Sequence, residues 1–271
     1  MGPKKAKNAK GRVLAIGGSD PGAGAGIQAD LKTISALGGY ALTALTAVTV
    51  QDTKGVRQIF QVPAKVVEAQ AKAVLADLGA DAVKTGMLGT AETVRAVASL
   101  LAGPAKRLPA VIDPVLVSTS GAVLLEPGAL KLFRSRIVPR ATLITPNIPE
   151  AEALTGLACA TLDDRRRAAE ALLAMGAGAV LLKGGHARGS TVIDLLVTPD
   201  GETLFEGPRL KTRHTHGTGC TLASAIATGL ALGWPLIEAV GEGWAYTAEA
   251  IRHAPGLGKG HGPLGHFWSG R

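Results

Sequence analysis

RVLAIGG (12–18), IQADLKTISALGG (27–39) and ALTALTAVTV (41–50), taken as one unit, decide the fold. The first is a short apolar run that ends in glycines. In the second, Ile27, Leu31, Ile34 and Leu37 recur at the three- and four-residue spacing of an amphipathic helix. The third is β-branched and uncharged, as a strand covered on both faces of a sheet would be. Strand, loop, helix, strand is one parallel crossover, and the rest of the chain repeats it. The pattern predicts a helix over 63–79, a strand and its exit loop over 81–88, a helix over 90–103, and strands over 109–115 and 141–147. Helices near 148–155 and over 163–175 precede a strand over 179–185. Two short β runs within 193–207, around Pro199-Asp200-Gly201, form a hairpin. Helices over 219–232 and 235–253 come last. Such alternation predicts an α/β protein, a three-layer α/β/α Rossmann-like arrangement with a mostly parallel central sheet and helices on both faces. Ligands then belong at the carboxyl ends of the strands.

Composition agrees with one α/β domain over 12–271 behind a flexible basic tail, 1–11. The chain has 271 residues, 46% of them hydrophobic, 18% charged and 3% aromatic. The net charge of +8 invites a nucleic-acid reading until it is located. Five positive charges, Lys4, Lys5, Lys7, Lys10 and Arg12, fall in the first twelve residues without an acidic neighbour, which leaves +3 for everything else. No nucleic-acid partner is expected, and the tail lacks the apolar core of a signal peptide. Residues 217–237 carry no charge, yet Gly229, Gly233 and Pro235 fit a buried helix better than a membrane span. Two distant cysteines, Cys159 and Cys220, suggest no disulfide framework and a reducing cytoplasm.

The polar and glycine-rich stretches follow the strands: GGSDPGAGAG (17–26), QDT (51–53), TGML (85–88), DPV (113–115), TPNIPE (145–150) and KGGH (183–186). On a parallel sheet they gather at one rim. GAGIQA (24–29) matches a dinucleotide fingerprint, but the loop from Gly17 is too long for that fingerprint's tight turn. In TPNIPE, Asn147 and Glu150 are spaced to hold Mg²⁺ through water, and equally to form a helix-capping box. Lys183 at a strand end can lie over a phosphate or simply be solvated. In HTHGTGC (214–220), Gly217, Thr218 and Gly219 turn N–H groups toward one point ahead of a long helix, which makes an anion hole. Cys220 at the first turn is expected to have a depressed pKa and to accept a proton from a substrate hydroxyl; the alternative is a small packing residue. A zinc site from His214, His216 and Cys220 lacks a fourth ligand.

Taken in order, AIGGSDPGAGAGIQADLKTISALGG, TAVTVQDTKGV, KTGML, VIDPV, LITPNIPEAEALTG, LLKGGH and HTHGTGCTLASAIATGLALG resemble the ribokinase superfamily. Within it the chain is most similar to the hydroxymethylpyrimidine/phosphomethylpyrimidine kinases. The resemblance spans about residues 12–253. It implies ATP- and Mg²⁺-dependent phosphorylation of 4-amino-5-hydroxymethyl-2-methylpyrimidine and then of its monophosphate, by a cytoplasmic, membrane-free homodimer. It also implies roles: Gly18, Asp30, Gln51, Met87, Val115 and Cys220 for the pyrimidine; Asn147, Lys183, Thr218 and Gly219 for ATP; Asp113 and Glu150 for the metal. Lys183, Gly217, Thr218, Gly219 and Cys220 would carry catalysis. Asp30 and Gln51 would pair with the aminopyrimidine edge while Met87 and Val115 pack on the ring. Related pyridoxal kinases share GTGC, but the resemblance implies a second cysteine in their lid, and VSTSGAV (117–123) has none. Pyridoxal phosphorylation is the second reading, and a non-catalytic nucleotide- or vitamin-binding protein the third. HAPGLGKGHGPLGHFWSGR lies outside the resemblance and reads as a surface-packed terminus.

Overall fold

The computed structural model describes residues 11–118, 121–185, 187 and 189–268. The expected tail, apart from Gly11, lies outside the described residues. Among the described residues nine strands form one sheet: β1 (Arg12–Ser19), β2 (Tyr40–Asp52), β3 (Gly55–Gln61), β4 (Ala82–Thr85), β5 (Ala110–Ile112), β6 (Leu143–Ile144), β7 (Val180–Leu182), β8 (Thr191–Thr198) and β9 (Gly201–Pro208). Their order is β3-β2-β1-β4-β5-β6-β7-β8-β9. The six from β2 to β7 are parallel, and antiparallel strands extend both edges. The chain works outward from β1 in one direction and from β4 in the other, so the β1/β4 boundary is the switch point at which a cleft opens.

Alternate residues of the central strands feed two cores, as the two-residue period of a strand requires. Leu14, Ile16, Val83, Ile112, Ile144, Val180 and Leu182 face α2 (Ala64–Asp77), α3 (Ala91–Ala102), α4 (Leu130–Arg136), α5 (Ile148–Thr155) and α6 (Leu162–Ala174). Val13, Ala82, Val111, Leu143 and Leu181 face α1 (Gly26–Ala36), α7 (Thr218–Leu232) and α8 (Leu236–Arg252). α7 is buried nearly all round, between the sheet and α1 and α8, which is why 217–237 carries no charge. Among the described residues no helix is long and apolar enough to cross a membrane.

Two expectations change. β2 is not covered on both faces: its outer half alternates, with Val48 and Val50 exposed, because it leaves the helical layers to pair with β3. The C-terminal segment, expected to pack on the surface, is drawn in further than that. Pro263, Leu264 and His266 are buried, and the segment runs over the mouth of α7.

Candidate active site

The carboxyl ends of the parallel strands and the first turn of α7 enclose an open cleft of about 580 Å³. The site residues that the resemblance implies all line it: Gly18, Asp30, Gln51, Met87, Asp113, Val115, Asn147, Glu150, Lys183, Gly217, Thr218, Gly219 and Cys220. They come from positions up to 202 residues apart (Gly18 to Cys220), brought together only by the sheet.

At the centre, Lys183 Nζ donates to Asp113 Oδ1 (2.9 Å), and Thr145 Oγ1 donates to the same oxygen (3.3 Å). Burial alone would lower the Lys183 pKa, but Asp113 and Glu150 outweigh it and raise it, so the ammonium stays charged. The glycine turn sits against this pair. A side chain on Gly219 would start 3.2 Å from Lys183 Nζ and 3.4 Å from Asp113 Oδ2. Gly217, the N-cap of α7, has φ +85°, and any Cβ there would collide with the carbonyl of Gly24. Only glycine lets the two glycine-rich loops interlock, which sets the head of α7 against the cleft.

Asn147 and Glu150 form the capping box in full: Asn147 Oδ1 accepts from Glu150 N and Glu150 Oε2 accepts from Asn147 N, both at 2.9 Å. They are capping residues and cleft residues at once. Burial raises the Glu150 pKa, Lys183 opposes it, and the like charge of Asp113 adds to it. Two buried carboxylates that line one cleft and feel each other's charge are a donor set suited to a hard cation held partly through water.

Cys220 reverses an expectation. It does sit in the first turn of α7, and Gly26 N, at the head of α1, donates toward its sulfur. Burial nevertheless dominates, Asp30 and Asp113 oppose the thiolate, and Lys84 only partly compensates, so the pKa is pushed up to about 11. Two helix N-termini do not make a thiolate where the surroundings are dry and already anionic.

Asp30 carries a structural ion pair that the sequence reading did not anticipate. Its Oδ1 accepts from Lys84 Nζ (2.7 Å) and Ser224 Oγ (2.8 Å), and both charged side chains are fully buried. Oδ2 is buried without a hydrogen-bond partner among the described residues. Burial raises the Asp30 pKa against the pull of Lys84; Lys84 is likewise raised, its burial outweighed by Asp30. One oxygen is therefore committed to the fold, and Lys84 emerges as a cleft residue that the sequence reading passed over inside an apolar strand. Met87 and Val115 meet in a small apolar cluster with Ala47 and Leu124. Val115 has φ +39°, strain of about 1–3 kcal/mol for a β-branched residue, of the kind that collects at ligand sites.

A second group that the sequence reading missed joins the loop before α1 to the loop before α7. The Asp20 carboxylate accepts from the amides of Gly22, Gly24 and Ala25, which explains the long glycine loop, and His216 Nε2 lies 2.8 Å from its Oδ2. Burial works against the Asp20 charge, but these bonds outweigh it and hold its pKa low. The same Nε2 lies 3.1 Å from the side-chain nitrogen of Gln51, so the His216 ring sits between Asp20 and Gln51. Beyond Lys183, the buried Asp194 accepts from Gly184 N (2.6 Å) and Trp244 Nε1 (3.1 Å) and so sets the loop that presents Lys183.

The sequence profile of the phosphomethylpyrimidine kinase family matches residues 20–265. The chain is 50% identical over 257 residues to the hydroxymethylpyrimidine/phosphomethylpyrimidine kinase of Streptomyces coelicolor, covering 95% of this chain and 94% of that one. It is 48% identical to a thiamine biosynthesis bifunctional protein of Geobacter sulfurreducens, covering 97% of this chain and 54% of that longer protein. Among solved structures, the phosphomethylpyrimidine kinase of Clostridium difficile matches at 40% identity and TM-score 0.79, covering 89% and 99% of the two chains. The Bacillus subtilis pyridoxal kinase, solved with ADP, matches at 33% identity and TM-score 0.88, covering 95% and 98%.

Proposed function

The chain belongs to the phosphomethylpyrimidine kinase family, and from that premise we propose how its cleft works. The enzyme is a phosphotransferase that uses ATP to phosphorylate hydroxymethylpyrimidine and then the monophosphate, in thiamine biosynthesis. The observation that carries the mechanism is the meeting of Gly219 with the Lys183–Asp113 pair. A loose phosphoryl-transfer transition state asks the protein for positioning and for charge stabilisation, and that junction offers amides, a helix N-terminus and an ammonium together.

The reading assigns Gly217, Thr218, Gly219 and Lys183 to the transferring phosphoryl group. Asn147 and Glu150 face the nucleotide phosphates from α5. Asp113 and Glu150 fit Mg²⁺, which when bound would neutralise phosphate charge. On the substrate side Gly18, Met87 and Val115 supply the apolar bed, and Gln51 and the free oxygen of Asp30 supply polar partners for the ring edge. Cys220 enters as a thiol beside the acceptor hydroxyl. The hydroxyl proton leaves late in a dissociative transfer, so turnover does not wait on a resting thiolate. A second copy of the chain is the inferred partner: Val48, Val50 and Phe60, the last paired with Val48 across the strands, leave an apolar patch on the outer hairpin.

The similarity to pyridoxal kinases keeps pyridoxal as the second substrate to test, while the absence of a cysteine from 117–123 favours the pyrimidine. Mass spectrometry of products from hydroxymethylpyrimidine, its monophosphate and pyridoxal, each with MgATP, decides. Mono- and diphosphate of the pyrimidine are expected; phosphorylation of pyridoxal alone would overturn the reading.

A further inference from the structure

The glycine-rich segment after α8 holds the substrate side of the cleft in place. Three consecutive amides clasp Thr53, in the turn between β2 and β3: Lys259 N and Gly260 N donate to Thr53 Oγ1 (3.1 Å each), and His261 N donates to Thr53 O (2.8 Å). The approach is so close that a Cβ on Gly260 would collide with the Thr53 carbonyl. Thr53 is two residues past Gln51. The segment then turns to the other loop. His216 N donates to Gly262 O (3.1 Å), and His216 and Pro263 pair as an isolated parallel bridge. Its far end is fixed: Gly265 N donates to Ala250 O (2.9 Å), Tyr246 Oη donates to His266 O (2.6 Å), and His266 Nε2 meets Thr221 Oγ1 (3.1 Å), next to Cys220.

One segment therefore grips Thr53, two residues past Gln51, and the backbone of His216; the side chains of Gln51 and His216 meet at 3.1 Å in the cleft. Gln51 is the penultimate residue of β2, paired with Val56 of β3, so the strap grips the tip of that hairpin, whereas the segment that carries His216 is irregular and its bridge partner is the strap itself. We propose that residues 258–266 form a positioning strap that sets the Gln51–His216 contact, and through it substrate affinity, without touching the substrate. This rests on the pyrimidine kinase reading for its choice of substrate.

The test varies Thr53, which lies outside the cleft lining. Thr53→Val keeps shape but removes the acceptor of two strap amides; Thr53→Ser keeps the acceptor; Gly260→Val pushes the strap off. With hydroxymethylpyrimidine and ATP each varied, Thr53→Val should raise the pyrimidine KM about tenfold, the effect of one lost positioning contact, with kcat and the ATP KM within about twofold. Thr53→Ser should restore it, and Gly260→Val should exceed it. The His216 imidazole NMR signal, assigned by its loss in His216→Gln, should move in Thr53→Val and return in Thr53→Ser. An unmoved signal with an unchanged pyrimidine KM overturns the strap, as do equal rises in both KM values. A wild-type protein that leaves the pyrimidine unphosphorylated counts against the function alone, and the imidazole signal then decides the strap.

Discussion

Two lysine–aspartate pairs stand at strand ends of the same sheet and differ in their access to water. Lys84 and Asp30 are both 0% exposed; Lys183 and Asp113 are 14% and 3% exposed. The first pair joins β4, α1 and, through Ser224, α7. Parting it would strand a charge in a dry place, so it acts as a fixture of the fold. The second opens on the cleft beside Gly219, where an incoming phosphate can take over the ammonium. On the proposed mechanism, similar chemistry serves structure in one place and turnover in the other, and burial decides which.

The sharpest way to break the comparison is Lys84→Met. It leaves Asp30 buried and uncompensated and should cost about 3–5 kcal/mol, read as a lower denaturant midpoint; adding Asp30→Leu should recover most of that. A single variant as stable as wild type would deny the pair its structural role. Lys183→Ala should do the opposite: a fall in kcat of roughly 10²-fold with a thermal midpoint within a few degrees of wild type. A loss of stability matching that of Lys84→Met would erase the contrast.

Cys220 lies between the two pairs, and its thiol extends the argument. Because its pKa is raised to about 11, the native state favours the protonated thiol, and ionisation becomes unfavourable to the fold as pH rises above the ordinary cysteine value. In a Cys159→Ala background, the rate of iodoacetamide modification should still be climbing at about pH 9.5. A plateau near neutrality would mean an activated thiolate. The smallest effect belongs to His266, a buried group without a counter-charge. Burial lowers its pKa to about 4, so below its ordinary value the unfolded chain binds the proton that the native state refuses. Stability should decline as pH falls from about 6.5 toward 4, by a few degrees in midpoint, and His266→Gln should flatten that decline.

Much of the fold could be read directly because the central strands are apolar runs closed by glycine or proline, a pattern that a sheet covered on both faces imposes. GVRQIFQ escaped notice as β3 because an exposed edge strand needs no apolar run. The seven-residue α4 is hidden behind Pro127 and a 3-10 turn. At the site, residue types and their rim positions were legible from the loops after each strand. What was not legible depended on contacts between distant residues. Lys84 meets Asp30 across 54 positions, and His216 meets Asp20 across 196. Nor does a motif record dryness: GTGC places Cys220 at a helix N-terminus but says nothing of the neighbouring carboxylates that keep its proton on.

The most direct test is a crystal structure of the protein with a non-hydrolysable ATP analogue, Mg²⁺ and hydroxymethylpyrimidine. The terminal phosphate should lie within hydrogen-bonding distance of the amides at 218–219 and of Lys183 Nζ, with the substrate hydroxyl beside Cys220. Phosphates bound away from that turn, or a pyrimidine outside the cleft between Gln51 and Met87, would contradict the account.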